Sequence, residues 1–109
     1  MQTEVVENGA QHRFEVHVDG RLAGFTAYQS HPGGYTFTHT EIDPEDEGKG
    51  VGSTLVRGVL DEMRRRGLTV RPVCPFVLTF LRRHPDYVDL VPALERARFG
   101  LPPARERAG

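Results

Sequence analysis

Cysteine is nearly absent from this chain, and its scarcity restricts both compartment and chemistry. Among the 109 residues the one cysteine is Cys74. A single thiol cannot close an internal disulfide or build a cysteine-based zinc site, and this usage is typical of a reducing compartment. We therefore expect a cytoplasmic protein without a structural metal.

Long apolar runs and an excess of either charge are also missing. No window approaches about 18 consecutive apolar residues, the length that a membrane helix needs. The polar start Met1-Gln2-Thr3-Glu4 does not resemble a signal peptide. Lys and Arg number 14 and Asp and Glu 15, a balance that does not favour general polyanion binding. We expect neither a membrane nor nucleic acid as a partner.

The length allows one domain with its own core. A chain of this size buries about two thirds of its unfolded surface on folding. From about Pro92 the sequence carries Pro, Ala, Arg and Gly with few apolar anchors. We predict a single domain over residues 1–92 and a loosely ordered tail over residues 93–109.

Alternating residues predict two strands joined by a tight turn. Phe14, Val16 and Val18 alternate with polar residues, and Asp19-Gly20 forms a two-residue hairpin turn. This turn predicts that Val18 faces Arg21, that Val16 faces Ala23, and that Phe14 faces Phe25.

A third strand is predicted over residues 35–42, which are rich in aromatic residues and threonine. A period of two places Tyr35, Phe37, His39 and Glu41 on one face and Thr36, Thr38, Thr40 and Ile42 on the other.

Helical spacing begins after a glycine-rich loop, Gly48-Lys49-Gly50-Val51-Gly52. The apolar residues Val51, Leu55, Val56, Val59, Leu60 and Met63 form one stripe, and Gly67 is placed to end the helix. A fourth strand over residues 68–73 and a second helix from Phe76 to about His84 follow. The order strand-strand-strand-helix-strand-helix predicts an α+β domain with a mixed twisted sheet and two main helices.

The glycine-rich loop joins a strand to a helix, where backbone N–H groups lie beside the positive end of the helix dipole and suit a phosphate. The loop does not fit the Walker pattern, because Gly50 and not Ser or Thr follows Lys49. Nor does its GxGxG spacing fit the dinucleotide fingerprint. A flexible turn that binds nothing is the alternative.

Four segments in one order resemble a known family. The segment Glu47–Ser53 is similar to the acyl-CoA pyrophosphate loop of the GNAT N-acetyltransferase superfamily. With His39-Thr40-Glu41, Cys74-Pro75-Phe76 and Arg82–Tyr87 it resembles the small YjdJ-type GNAT domains. The resemblance covers residues 14–91.

This resemblance implies acetyl-CoA as the co-substrate, held between the third and fourth strands. Its pantetheine arm would pair with the backbone near Ile42. Its pyrophosphate would lie on Lys49, Gly50, Val51, Gly52 and Ser53. Phe76 either lines the pantetheine channel or fills the core. Arg82 and Arg83 form either a solvated helix end or a set of donors to the nucleotide phosphates.

Two residues depart from the superfamily pattern. Glu47 stands where Gln or Arg is common, which adds negative charge beside a diphosphate. Leu81 occupies the position where a tyrosine often protonates the departing thiolate, so the usual acid is missing.

Three residues are catalytic candidates. His39 or Glu41 could take the proton of an amine, and the alternatives are that His39 packs against a helix and Glu41 is solvated. Cys74, which ends the fourth strand, could protonate the thiolate, carry the acetyl group or be a small buried hydrophobe. Cys74 and His84 are too few for a metal site.

The sequence therefore predicts an acetyl-CoA-dependent N-acetyltransferase that acts on an amine of a small molecule or protein. Five carboxylates between Glu41 and Glu47 either form a solvated loop or attract a cationic amine. A non-catalytic acyl-CoA-binding module and a small interaction domain are the alternatives. We expect a monomer or a weak homodimer.

Overall fold

A five-stranded mixed sheet forms the centre of the fold. The computed structural model describes residues 1–103. The strands are β1 (Thr3–Asn8), β2 (Arg13–Val18), β3 (Arg21–His31), β4 (Gly34–Ile42) and β5 (Thr69–Pro72), and they lie in chain order across the sheet. The first four are antiparallel to their neighbours, and β5 runs parallel to β4. The predicted α+β class with a mixed sheet is confirmed.

Two α-helices cover one face of the sheet, α1 (Val51–Arg66) between β4 and β5 and α2 (Pro75–Arg83) after β5. The described part of the chain also contains four short 3₁₀ helices, which span Gly9–Gln11, Pro44–Asp46, Pro85–Leu90 and Ala93–Glu95. No helix among residues 1–103 is long and apolar enough to span a bilayer.

Helix α1 agrees with its sequence pattern. Its buried residues are the six of the predicted stripe, Val51, Leu55, Val56, Val59, Leu60 and Met63. Gly67 ends the helix in the left-handed conformation at φ +70°, and its N–H reaches the carbonyl oxygens of Arg64 and Met63. A side chain at this φ is strained, which explains the glycine.

The β2–β3 hairpin has the predicted turn but a different register. Asp19 and Gly20 both have positive φ, and Val18 faces Arg21 as expected. Val16, however, faces Gly24 instead of Ala23, and Phe14 faces Thr26 instead of Phe25. The reason is a β-bulge, in which Ala23 is an extra residue opposite the Val16–His17 step. Ala23 is fully buried there.

A second bulge changes the faces of β4. Ala27 pairs with His39 and Tyr28 with Phe37, so Thr38 is the extra residue. The prediction that Phe37, His39 and Glu41 share a face is therefore wrong. Phe37 is buried beneath the helices, whereas His39 and Glu41 lie on the opposite, uncovered face. The inward residue after the bulge is Thr40.

Strand β1 was not predicted. Val5 packs against α1, where a Cβ at Gly58 would lie 3.1 Å from its side chain. Glu7, on the same inward side, accepts hydrogen bonds from Tyr28 Oη at 2.6 Å and Tyr35 Oη at 3.0 Å. A carboxylate at an inward position breaks the apolar alternation by which a strand is recognised.

The chain after residue 92 packs more closely than expected. Glu95 accepts from Arg71 Nε at 2.9 Å, and Leu101 is buried. Arg82 donates to the carbonyl oxygen of Phe99 at 3.2 Å. The expectation of a loose tail thus differs from the structure as far as Leu101, because one apolar anchor and two arginine contacts hold this segment. Residues 104–109 of the predicted tail lie outside the described residues, and the domain boundary stays a prediction.

Candidate functional site

Strands β4 and β5 separate at their carboxyl ends. They pair only from Gly34 to Phe37 on β4, and Phe37 opposite Pro72 is the last pair. Pro72 has no N–H to continue the ladder, and the backbone N–H of Cys74 makes the final link to Phe37 O at 2.8 Å. The chain then turns into α2, so β4 continues to Ile42 without a neighbouring strand on that side. An extended ligand has room to pair with this edge.

The amino end of α1 faces this gap with its N–H groups free. Gly48 and Gly50 both have φ of +79°, a conformation that glycine adopts without strain. Gly50 is the N-cap, no side chain among residues 1–103 caps the helix, and no acidic residue lies in its first turn. The N–H groups of Val51, Gly52 and Ser53 therefore have no helical acceptor and suit an anion.

A cavity of about 430 Å³ joins this helix end to the open edge of β4. It brings together six of the nine predicted cofactor-binding residues, Ile42, Gly50, Val51, Gly52, Ser53 and Phe76, together with Thr40, Asp46, Glu47 and Gly48. Lys49 lies exposed in the loop between the lining glycines.

Phe76 separates this cavity from a second one. Its ring packs so closely over α1 that a Cβ at Gly52 would lie 2.5 Å from the ring. The second cavity, of about 310 Å³, is lined by Ser53, Pro75, Phe76, Thr79, Phe80, Arg83 and His84. Phe76 therefore has a lining role, and it is 42% exposed instead of filling the core.

The two predicted arginines point in different directions. Arg83 lines the second cavity beside Ser53. Arg82 lies on another side of α2, where it donates a hydrogen bond to the carbonyl oxygen of Phe99. The structure thus places Arg83, and not Arg82, close to the proposed phosphate loop.

Cys74 does not line the first cavity but contacts Thr40, which does. Its side chain is buried, and Sγ is 3.2 Å from Thr40 Oγ1. Thr40 Oγ1 in turn donates to Thr26 Oγ1 at 2.9 Å. Thr40 lines the cavity, so it stands between Cys74 and the space for a ligand. Thr26 and Thr40 were not singled out from the sequence, because only the bulge at Thr38 turns Thr40 inward.

His39 and Glu41 form a pair on the uncovered face of the sheet. His39 Nε2 lies 3.3 Å from Glu41 Oε1, and the side chains are 59% and 61% exposed. The alternative that His39 packs against a helix is wrong, because the helices cover the other face. Leu81, at the position where the resemblance implies a tyrosine, is buried in the core.

The acidic loop surrounds one arginine. Asp43, Glu45 and Asp46 place carboxylate oxygens within 4.8 Å of one another. Arg21 Nη1 lies 3.4, 3.0 and 2.9 Å from their oxygens, so a guanidinium occupies the point where they converge. Its hydrogen bonds to the buried Asp46 hold the pKa of that carboxyl below its usual range. The arginine thus neutralises part of the charge beside the cavity.

No curated protein matches the chain. A solved structure, ribosomal-protein-alanine N-acetyltransferase from Brucella melitensis biovar Abortus 2308, is similar with 22% identity and a TM-score of 0.45. The match covers 58% of this chain and 52% of that one, so the chain spans about half the length of that structure.

A family of known proteins matches most of the chain. The family described as GCN5-related N-acetyl-transferase matches residues 13–90, from the start of β2 to the 3₁₀ helix after α2. This range contains the glycine-rich loop, the separated strands and both cavities. The match covers well over half of the chain, which therefore belongs to the GCN5-related N-acetyl-transferase family.

Proposed function

We propose that this protein transfers the acetyl group of acetyl-CoA to an amine nitrogen. Membership of the family supports acetyl transfer as the chemistry. The observation that carries the proposal is the cavity that joins the uncapped end of α1 to the open edge of β4. It pairs an anion site with a strand edge, as a long ligand with a diphosphate and two amide groups requires.

The loop and α1 would hold the pyrophosphate. The N–H groups of Val51, Gly52 and Ser53 would donate to its oxygens, with the helix dipole and Lys49 adding positive charge. Glu47 lines the same cavity and opposes this binding. Its side chain makes no ion pair among residues 1–103, so it is free to turn away. Free N–H and C=O groups of β4 up to Ile42 would pair with the pantetheine amides, beside Phe76.

His39 and Glu41 are the proposed proton acceptors for the amine. Their positions on the uncovered face allow either group to take a proton from an acceptor that approaches from that side. In the transfer the nitrogen forms a bond to the acetyl carbon, the carbon–sulfur bond breaks, and the thiolate takes up a proton. The proposed donor of that proton is the Cys74 thiol, with Thr40 between it and the cavity.

A substitution at Gly50 tests the site. We expect that Gly50→Glu lowers acetyl-CoA affinity at least about 100-fold, because the carboxylate repels the diphosphate and the side chain blocks backbone approach. Isothermal titration measures the affinity. Gly33→Glu is the matched control, since Gly33 also has positive φ and open space at Cβ but lies in the β3–β4 turn. Unchanged affinity in a folded Gly50→Glu variant would contradict the phosphate-loop assignment.

Leu81 favours a second candidate, a non-catalytic acyl-CoA-binding module. It is buried and has no hydroxyl, so the usual acid is missing. Titration with acetyl-CoA followed by turnover with a panel of amines distinguishes the two. Binding without turnover supports the module, and absence of both supports the small interaction domain. Cytoplasmic location, a monomer or weak homodimer, and the absence of nucleic-acid, membrane and metal partners remain predictions from the sequence.

A further inference from the structure

A groove of about 750 Å³ opens on the uncovered face of the sheet, at the carboxyl end of β4. Its lining combines apolar side chains with three carboxylates. The apolar residues are Leu22, Phe25, Ile42 and Pro44, the carboxylates are Glu41, Asp43 and Glu47, and Arg13, Gly24 and Thr40 complete the lining. Thr40, Ile42 and Glu47 also line the cavity proposed for acetyl-CoA. The two spaces therefore meet at the end of one strand.

The charge of this groove is negative after its ion pairs are counted. Arg13 lines it, but its guanidinium donates to Glu15 at 2.9 Å and lies 4.5 Å from the centre of the Phe25 ring. Arg21 partly neutralises Asp43 at 3.4 Å, but its shorter contacts are to Glu45 and Asp46. Glu41 is paired with His39, and the side chain of Glu47 makes no ion pair among residues 1–103.

Carboxylates around a reacting amine have a chemical cost. They stabilise the ammonium form and raise its pKa, whereas only the neutral amine attacks a thioester. A single-charge acceptor would lose this attraction when it gives up its proton. A second, non-reacting positive charge keeps the attraction throughout the reaction.

Resting on the proposed function, we propose that the acceptor is an amine with a second, non-reacting cationic group, held by Asp43 and Glu47 along a wall of Leu22 and Phe25. The reacting ammonium loses one proton to the His39–Glu41 pair. Its nitrogen then bonds to the acetyl carbon and gives up a second proton as the carbon–sulfur bond breaks. The thiolate takes up one proton, which balances this second loss. The products are the amide, free CoA and one net proton, while the second charge is unchanged.

Two pairs of acceptors test this inference on the whole chain. A linear pentyl diamine is compared with the amino alcohol of the same length, in which a hydroxyl replaces one ammonium. A peptide with lysine beside arginine is compared with its citrulline counterpart. We expect kcat/KM to be at least about tenfold higher for the dication of at least one pair, with the preference falling as salt rises. A preference for the dication in the diamine pair alone indicates a free polyamine as the acceptor. A preference in the peptide pair alone indicates a protein side chain.

Variants in the acidic loop locate the recognition. Asp43→Asn should reduce the preference for the dication up to about fivefold, the range of exposed ion pairs, with little effect on the amino alcohol. Glu45→Gln is the matched control, because Glu45 also contacts Arg21 but does not line the groove. An equal effect of both variants, or equal kcat/KM within both acceptor pairs, would overturn the inference.

A separate readout keeps the two proposals distinguishable. If acetyl-CoA binds and both members of each pair are acetylated equally well, the proposed function stands and the inference fails. If acetyl-CoA does not bind, the proposed function fails, and direct titration of the groove with the diamine and the amino alcohol decides the inference. Equal or absent binding of these two amines then overturns it as well.

Discussion

The two ends of β4 both carry carboxylates, but they use them differently. At the start of β4, Glu7 of β1 accepts from Tyr28, Tyr35 and Arg66, the last at 2.8 Å. At its end, Glu41 and Glu47 line an open groove, where Glu41 contacts the exposed His39 and Glu47 also lines the cavity at the start of α1. Polar groups that find partners inside the chain hold the fold together, whereas those left facing a cavity are available to a ligand.

The contacts of Glu7 should contribute more to the stability of the fold than the residues at the open end of β4. We expect that Glu7→Ala lowers the free energy of unfolding by about 2–3 kcal/mol, because it leaves the Tyr28 and Tyr35 hydroxyls without their acceptor and removes one of the two carboxylates that Arg66 contacts. Urea denaturation measures the change. Glu4→Ala, on the same strand but exposed, is the control and should stay within about 0.5 kcal/mol of wild type. A small loss for both variants would mean that the Glu7 contacts add nothing beyond strand pairing.

The open end should dominate ligand affinity. We expect Arg83→Ala to weaken CoA about tenfold while affecting 3′-dephospho-CoA less, because the guanidinium beside Ser53 is placed to contact an additional phosphate. Arg82→Ala is the matched control, since Arg82 is the adjacent arginine but donates to Phe99. Titration with both ligands gives the comparison. Equal losses of affinity for the two ligands, or in the two variants, would mean that Arg83 is part of a solvated helix end and does not contact the additional phosphate.

Lowering the pH should reduce the free energy of unfolding through Glu7, by a smaller amount than the substitution does. Burial tends to raise the pKa of Glu7, but the hydrogen bonds from Tyr28, Arg66 and Tyr35 outweigh it, so its pKa lies below the usual 4.5. A lowered carboxyl pKa in the folded state gives stability that is present above about pH 4.5 and is lost as the pH falls through the folded value. Glu7→Gln should flatten this dependence in urea denaturation between about pH 3 and 6. A slope as steep as that of wild type would show that other carboxyls cause it.

The same contrast explains which parts of the fold were predictable. The stripe of α1, its glycine end and the Asp19-Gly20 turn depend on residues close together in the chain, and each was predicted. Strand β1 was missed because its inward Glu7 is satisfied by residues far along the sequence. Six of the nine cofactor-binding candidates line one cavity, since the loop and the helix start that carry most of them are continuous in sequence.

The catalytic candidates were harder to place. A strict period of two placed His39 and Glu41 on the face of Phe37, and the bulge at Thr38 moved them to the other side of the sheet. The same bulge brings Thr40 to Cys74. No residue type marks a bulge of this kind, because it depends on pairing with β3.

By itself the sequence determined most of the elements and the glycine-rich loop before α1, because helical period, turn residues and positive-φ glycines act over a few neighbouring residues. Tertiary structure decided which side chains meet. It inserted extra residues at Ala23 and Thr38, separated Arg82 from Arg83, and placed Thr40 in front of Cys74. These outcomes depend on the pairing of strands and the packing of helices far apart in the chain, where the free energy of the whole core outweighs local periodicity.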